Sequence, residues 1–131
     1  MNIKQLALSL SSGFHDALLH SYSVDLTAKT ARFRMELCVG DPDSTNEQVR
    51  EARRTADLHL YGLDYFLVDA PDPKYPRHSA WQIDLCDADP EIVSRYEDID
   101  GGFSARFYSS ETNAFIHFAA LTAAITYDDA L

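Results

Sequence analysis

Two neighbouring stretches of the chain alternate apolar and polar residues with a period of two. Leu18, His20, Tyr22, Val24 and Leu26 alternate with Leu19, Ser21, Ser23 and Asp25. After a turn around Ala28 and Lys29, Phe33, Met35, Leu37 and Val39 alternate with Arg32, Arg34, Glu36 and Cys38. Successive strand residues point to opposite faces, so this pattern predicts a half-buried antiparallel hairpin, ended by Gly40-Asp41-Pro42-Asp43. Ahead of it, Ile3, Leu6, Ala7 and Leu10 make one helical stripe. Asn2 is placed to cap a helix over residues 2–12, and Gly13 is placed to end it.

The same reading continues down the chain. Ser44 and Glu47, or Thr45 and Gln48, have the spacing of a capping box for one or two helical turns. A strand is expected from Arg54 to Tyr61, with Ala56, Leu58 and Leu60 inward. Gly62 allows a turn or bulge, and the strand resumes over Leu63 to Val68. Pro71, Pro73 and Pro76 make residues 70–78 a loop, because proline removes ladder donors. Trp81, Ile83 and Leu85 mark another strand, and Asp89-Pro90-Glu91 starts a short helix to about Tyr96. After Asp100-Gly101-Gly102, Phe103, Ala105 and Phe107 open a last hairpin that turns at Glu111-Thr112-Asn113. In its second strand the apolar set changes parity, from Ile116 and Phe118 to Leu121, Ala123 and Ile125. That change predicts a β-bulge near Ala119-Ala120.

The expected fold is α+β in a single domain spanning residues 1–131. It is mainly an antiparallel β-sheet of about six or seven strands, curved or partly closed, with an N-terminal helix and one or two short helices. The chain length allows a core without a metal or disulfide. Cys38 and Cys86 show no paired-cysteine motif and are expected as free thiols.

Charge narrows the partners. Lys and Arg total 11 against 21 Asp and Glu, a net charge of −10. Such a surface repels nucleic-acid phosphates and anionic membranes, and Arg50, Arg53 and Arg54 are too few to reverse this. No run approaches the length of a membrane span. The start of the chain lacks the layout of a signal peptide, so a cytoplasmic location is expected.

Candidate chemistry is sparse. His15 and Asp16 are an acid–base pair by type. In an extended segment, however, they would face opposite ways, and Asp16 would lie about 13 Å from His20. On this reading Asp16 serves a turn and His20 sits on the core face, with a cleft using His15, Asp16 and His20 as the alternative. The five histidines (His15, His20, His59, His78, His117) are dispersed, without metal-ligand spacing. Asp84, Asp87, Asp89, Glu91, Glu97, Asp98 and Asp100 fall within 17 residues. A calcium loop starting at Asp87 fails, because Ile92 takes the glycine position and Asp98 the twelfth. The cluster reads as a solvated acidic face or a docking patch for a basic protein. No nucleophile or phosphate-loop motif occurs, and no cofactor or metal is expected. Tyr61, Tyr65, Tyr75, Trp81 and Tyr108 include outward aromatics suited to an interface.

The run Phe14-His15-Asp16-Ala17-Leu18-Leu19-His20-Ser21, entering the strand–turn–strand from Tyr22 to Leu37, resembles small uncharacterised bacterial proteins. Some of these are grouped with immunity proteins of polymorphic toxin systems. Asn113-Ala114-Phe115-Ile116-His117-Phe118, followed by Ala119 to Ile125, is similar to their C-terminal end. The resemblance spans residues 1–40 and 107–131 and implies a protein that binds and neutralises a partner, with no catalytic residues. The leading expectation is therefore a non-enzymatic, cytosolic, acidic protein-binding module. A small-ligand binder or hydrolase using His15, Asp16 and His20 is the second reading, and a structural homo-oligomer is the third.

Overall fold

The computed structural model describes residues 1–41, 43–75, 80–91, 93 and 101–128. The expected helix beyond Glu91, His78, and the acidic residues Glu97, Asp98 and Asp100 lie outside the described residues. Helix α1 spans Ile3–Ser9 and α2 spans Glu47–Arg50. The strands are β1 (Ala17–Asp25), β2 (Thr30–Cys38), β3 (Arg53–Tyr61), β4 (Tyr65–Val68), β5 (Trp81–Asp87), β6 (Phe103–Ser109), β7 (Ala114–Ala120) and β8 (Thr122–Tyr127). They form one antiparallel sheet in the order β4-β7-β6-β5-β1-β2-β3-β8. The class is the expected α+β with a mainly antiparallel sheet. The strand count is eight because two long strands each break at a corner.

Those corners shape the molecule. Gly62 separates β3 from β4, and Leu121 separates β7 from β8. Across the corner β3 pairs with β8 and β4 pairs with β7. The Leu121 N–H donates to the carbonyls of Tyr61 and Gly62 (3.0 and 3.2 Å), so the two bends face each other. Gly62 has φ +66°, a conformation that favours glycine, and a Cβ there would lie 2.6 Å from Leu121 Cδ1. The parity change in the last strand is present, but it falls at Leu121 instead of Ala119-Ala120. Leu121 itself is 45% exposed and not part of the inward set. β4 and β8, the ends of the order, do not pair among the described residues, yet the sheet curls until its two halves meet. Phe33 on β2 touches Phe107, Phe118 and Phe66, which come from β6, β7 and β4.

The alternation predicted for β2 and β3 is observed. Phe33, Met35, Leu37, Ala56, Leu58 and Leu60 are all buried. In β1 it is corrected. The β1–β2 register shifts between Leu19 and Ser21, leaving His20 as an extra residue. A bulge of this kind flips the side chains beyond it. Ala17 and Leu19 are therefore the buried pair, Leu18 is only half-buried, Tyr22 and Val24 take over the apolar side, and Leu26 is exposed. His20 is exposed, not on the core face.

Helix α1 opens with the Asn2 cap as expected, in a capping box with Gln5, and buries Ile3 and Leu6. It stops at Ser9 with Leu10 as its C-cap, and Gly13 lies in the turn that follows. α2 is capped by Asn46, whose side chain accepts from the Gln48 N–H. Ser44 instead accepts from Asn46, so neither predicted box forms. Asp89 starts a helical turn as predicted, its carboxylate accepting from the Glu91 N–H at 2.9 Å. No helix among the described residues is long and apolar enough to cross a membrane.

Candidate functional site

Two clusters of ionisable side chains stand out on the outside of the sheet. The first gathers at the turn before β1. Asp16 has φ +55°, so the chain is not extended there and the opposite-face expectation for His15 and Asp16 fails. His15 Nε2 lies 3.2 Å from Asp16 Oδ2, and His15 Nδ1 lies 2.7 Å from Asp84 Oδ1 on β5. Asp84 Oδ1 also accepts from the Asp16 N–H at 3.3 Å, and the Gln82 amide donates to Asp16 Oδ1 at 2.5 Å. The backbone carbonyl of Asp16 receives the Arg53 guanidinium at 3.0 Å. The sequence separation of His15 and Asp84 hides this pairing, which only the β1–β5 ladder creates.

Donor atoms from His15, Asp16 and Asp84 lie within 4.8 Å of one another, close enough to hold a cation. The imidazole, however, offers its two nitrogens to two different carboxylates. A metal could take only one of them. The geometry suits a protonated ring donating on both sides, as charge-assisted hydrogen bonds require. The Asp84 hydrogen bond, then the charges of Asp16 and Asp84, raise the His15 pKa above its ordinary 6.5. His15 is exposed.

A pH dependence follows. A folded-state pKa above the unfolded one contributes stability that is complete below pH 6.5 and is lost as pH rises through the raised folded value. Urea unfolding at a series of pH values should show this decline in the native chain and lose it in His15→Gln. A decline of equal size in both would assign it to another group.

The second cluster lies on the outer face of β4, β7 and β6. Leu67, His117 and Arg106 are cross-strand partners in one row. The Asp69 N–H donates to the Phe115 carbonyl at 2.9 Å, which extends the β4–β7 ladder and brings the Asp69 carboxylate to His117 Nε2 at 3.1 Å. The guanidinium of Arg106 lies 4.1 Å over the Phe115 ring, bonds the Asp87 carbonyl through Nε at 2.9 Å, and pairs with Asp89 at 3.7 Å. Together with Tyr65 and Glu91 these residues line a recess of about 340 Å³. His117 is only 6% exposed, and its Nδ1 is buried without a hydrogen-bond partner among the described residues. Sequence reading left His117 among the dispersed histidines. The signal that finds it is Ala114 to Ala120, apolar throughout except for His117, as expected of a strand covered on both faces.

The other sequence candidates scatter. His20 lies 3.4 Å from Glu36 on β2, and His15 and Asp16 pair with each other in the turn before β1. His59 bonds Thr126 at 2.9 Å. Of the acidic run, Asp84 holds His15, Asp87 pairs with Lys4 at 3.0 Å, and Asp89 and Glu91 line the recess. Cys38 and Cys86 are free. Among the expected outward aromatics, Tyr61 and Tyr75 are exposed, while Tyr65, Trp81 and Tyr108 are half-buried. Comparison with known proteins gives no match: no family model, curated protein or solved structure is significantly similar to the chain.

Proposed function

We propose that the chain is a non-enzymatic binding module, immunity-like in role, whose acidic surface receives a basic protein partner. The observation that carries this reading is a net charge of −10 together with three carboxylates, Asp69, Asp89 and Glu91, around one recess. Complementary charge of that kind steers encounter and rejects acidic competitors. The histidine geometry supports binding over catalysis. Both nitrogens of His15 face carboxylates, and the second nitrogen of His117 is closed off from solvent. A general base needs a nitrogen that substrate can reach.

The immobilised chain should capture a protein of basic isoelectric point from a lysate of its native host at about 0.05 M salt and release it near 0.5 M. Capture of acidic or neutral proteins alone, or capture indifferent to salt, would overturn the reading.

A further inference from the structure

We infer that His15 is a proton-operated latch on the seam between β1 and β5, which opens locally when the imidazole loses its proton while the rest of the sheet stays folded. Among the described residues this seam is the shortest ladder of the sheet, three residue pairs from Ala17 with Ile83 to Leu19 with Trp81. The backbone of β1 limits it at both ends. At one end Asp16, with φ +55°, turns the chain away from the strand direction. At the other, the bulge at His20 shifts the register.

Side chains close what the short ladder leaves weak. His15 Nδ1 lies 2.7 Å from Asp84 Oδ1 on β5, and Nε2 lies 3.2 Å from Asp16 Oδ2 on the β1 side. The Gln82 amide adds one bond across the same seam, to Asp16 Oδ1. Only the imidazolium carries an N–H on both nitrogens, so only the charged ring can donate to both carboxylates. The neutral ring gives up one of the two bonds and turns a lone pair toward that carboxylate. Donor atoms of Asp16 and Asp84 lie within 4.8 Å of each other, and without the cation their like charges repel across the seam.

The neighbouring ionisable groups do not take over this part. Arg53 on β3 donates to the Asp16 carbonyl and stays charged whatever the state of His15. Cys86 on β5 donates to the Asp84 carbonyl, and Tyr108 on β6, opposite Asp84, donates to Asn113. His20 faces Glu36 on β2, so its pair spans β1 and β2 and not the seam. The sign follows from the same contacts, which hold the closed-state His15 pKa above 6.5. The latch is fully engaged below pH 6.5 and is released as pH rises through the raised value. Release frees the facing main-chain groups of β1 and β5, the kind of edge that pairs with another chain.

The test is amide hydrogen exchange of the isotopically labelled full chain across a pH series, expressed as protection relative to unstructured peptide. Leu19 and Ile83 report on the seam, and Phe33 and Leu58 on the regular β2–β3 ladder. In the native chain the seam amides should be less protected than Phe33 and Leu58. Their protection should fall by about threefold or more between about pH 6 and pH 9, the scale set by exposed ion pairs. His15→Gln should be flat across the series, and so should His15→Lys, whose ammonium keeps its charge. His20→Gln should keep the native fall. A seam as protected as β2–β3, a flat profile in the native chain, a fall that persists in either His15 variant, or its loss in His20→Gln would overturn the inference. If His15→Gln fails to fold, the native chain, His15→Lys and His20→Gln decide. A pH-dependent loss of global stability with no change at the seam amides would defeat the latch and leave His15 a contributor to overall stability only.

Discussion

Phe33→Ala is expected to reduce the free energy of unfolding by about 3–5 kcal/mol, the range for truncating a fully buried aromatic ring. Phe33 has no exposed surface. Its ring centroid lies 5.4 Å from Phe107, 5.7 Å from Phe118 and 5.9 Å from Phe66. β2 pairs only with β1 and β3, so no hydrogen-bonded ladder links it directly to β4, β6 or β7. These aromatic contacts join the two halves of the curled sheet across its interior. Domains of ordinary stability hold about 5–15 kcal/mol in total, so the variant should sit close to unfolding. Urea titration followed by far-ultraviolet circular dichroism measures the loss. A value below about 1 kcal/mol, as for a surface change, would mean that the halves do not depend on this ring.

Gly40→Ala is the second large effect. A Cβ at Gly40 would lie 2.1 Å from the Arg50 carbonyl oxygen and 2.4 Å from that of Val49. Both atoms belong to the backbone of α2, so no side chain can turn aside to make room. The segment is pinned nearby by the Val39 N–H, which donates to the Ala52 carbonyl at 2.9 Å. Overpacking of this kind costs about 1–3 kcal/mol or more, and a drop in Tm of at least about 5 °C should follow. Gly62→Ala gives a useful contrast. Its close neighbour is the partly exposed Leu121 side chain, which can move, although the positive φ adds strain of its own. Equal Tm values for Gly40→Ala and the native chain would contradict the packing of α2 against the end of β2.

How far the residues announced this structure depends on where the backbone stays regular. β2 and β3 have no bulge, and there the period of two sorts buried from exposed residues correctly, from Phe33 to Leu37 and from Ala56 to Leu60. β1 begins with the same kind of pattern but carries one extra residue, His20, and a single insertion reverses every side chain beyond it. Nothing in the alternation of Leu18 to Leu26 distinguishes the two registers, because both faces of that stretch offer an apolar residue at its start. The parity change of the last strand was legible, since Ile116 and Phe118 cannot share a face with Ala123 and Ile125 without a shift, but its place at Leu121 was not.

The candidate sites were harder to read for a related reason. Asp16 takes a left-handed conformation in a turn, and that turn folds its carboxylate back toward His15. A reading that assumes extended backbone sends the two apart. Asp84 and Asp69 reach their histidines through strand pairings distant in sequence, and local spacing carries no trace of them. The acidic run from Asp84 to Glu91 was visible as charge. Its division among His15, Lys4 and the recess came only with the fold.

The central claim, that acidic charge on this surface draws in a basic protein, is tested most directly by the rate of association. With the captured partner in hand, stopped-flow mixing across a series of salt concentrations should show the rate constant falling by about tenfold or more between 0.05 and 0.5 M salt, the response of electrostatically steered encounter. A rate constant that stays flat across that series would contradict the account.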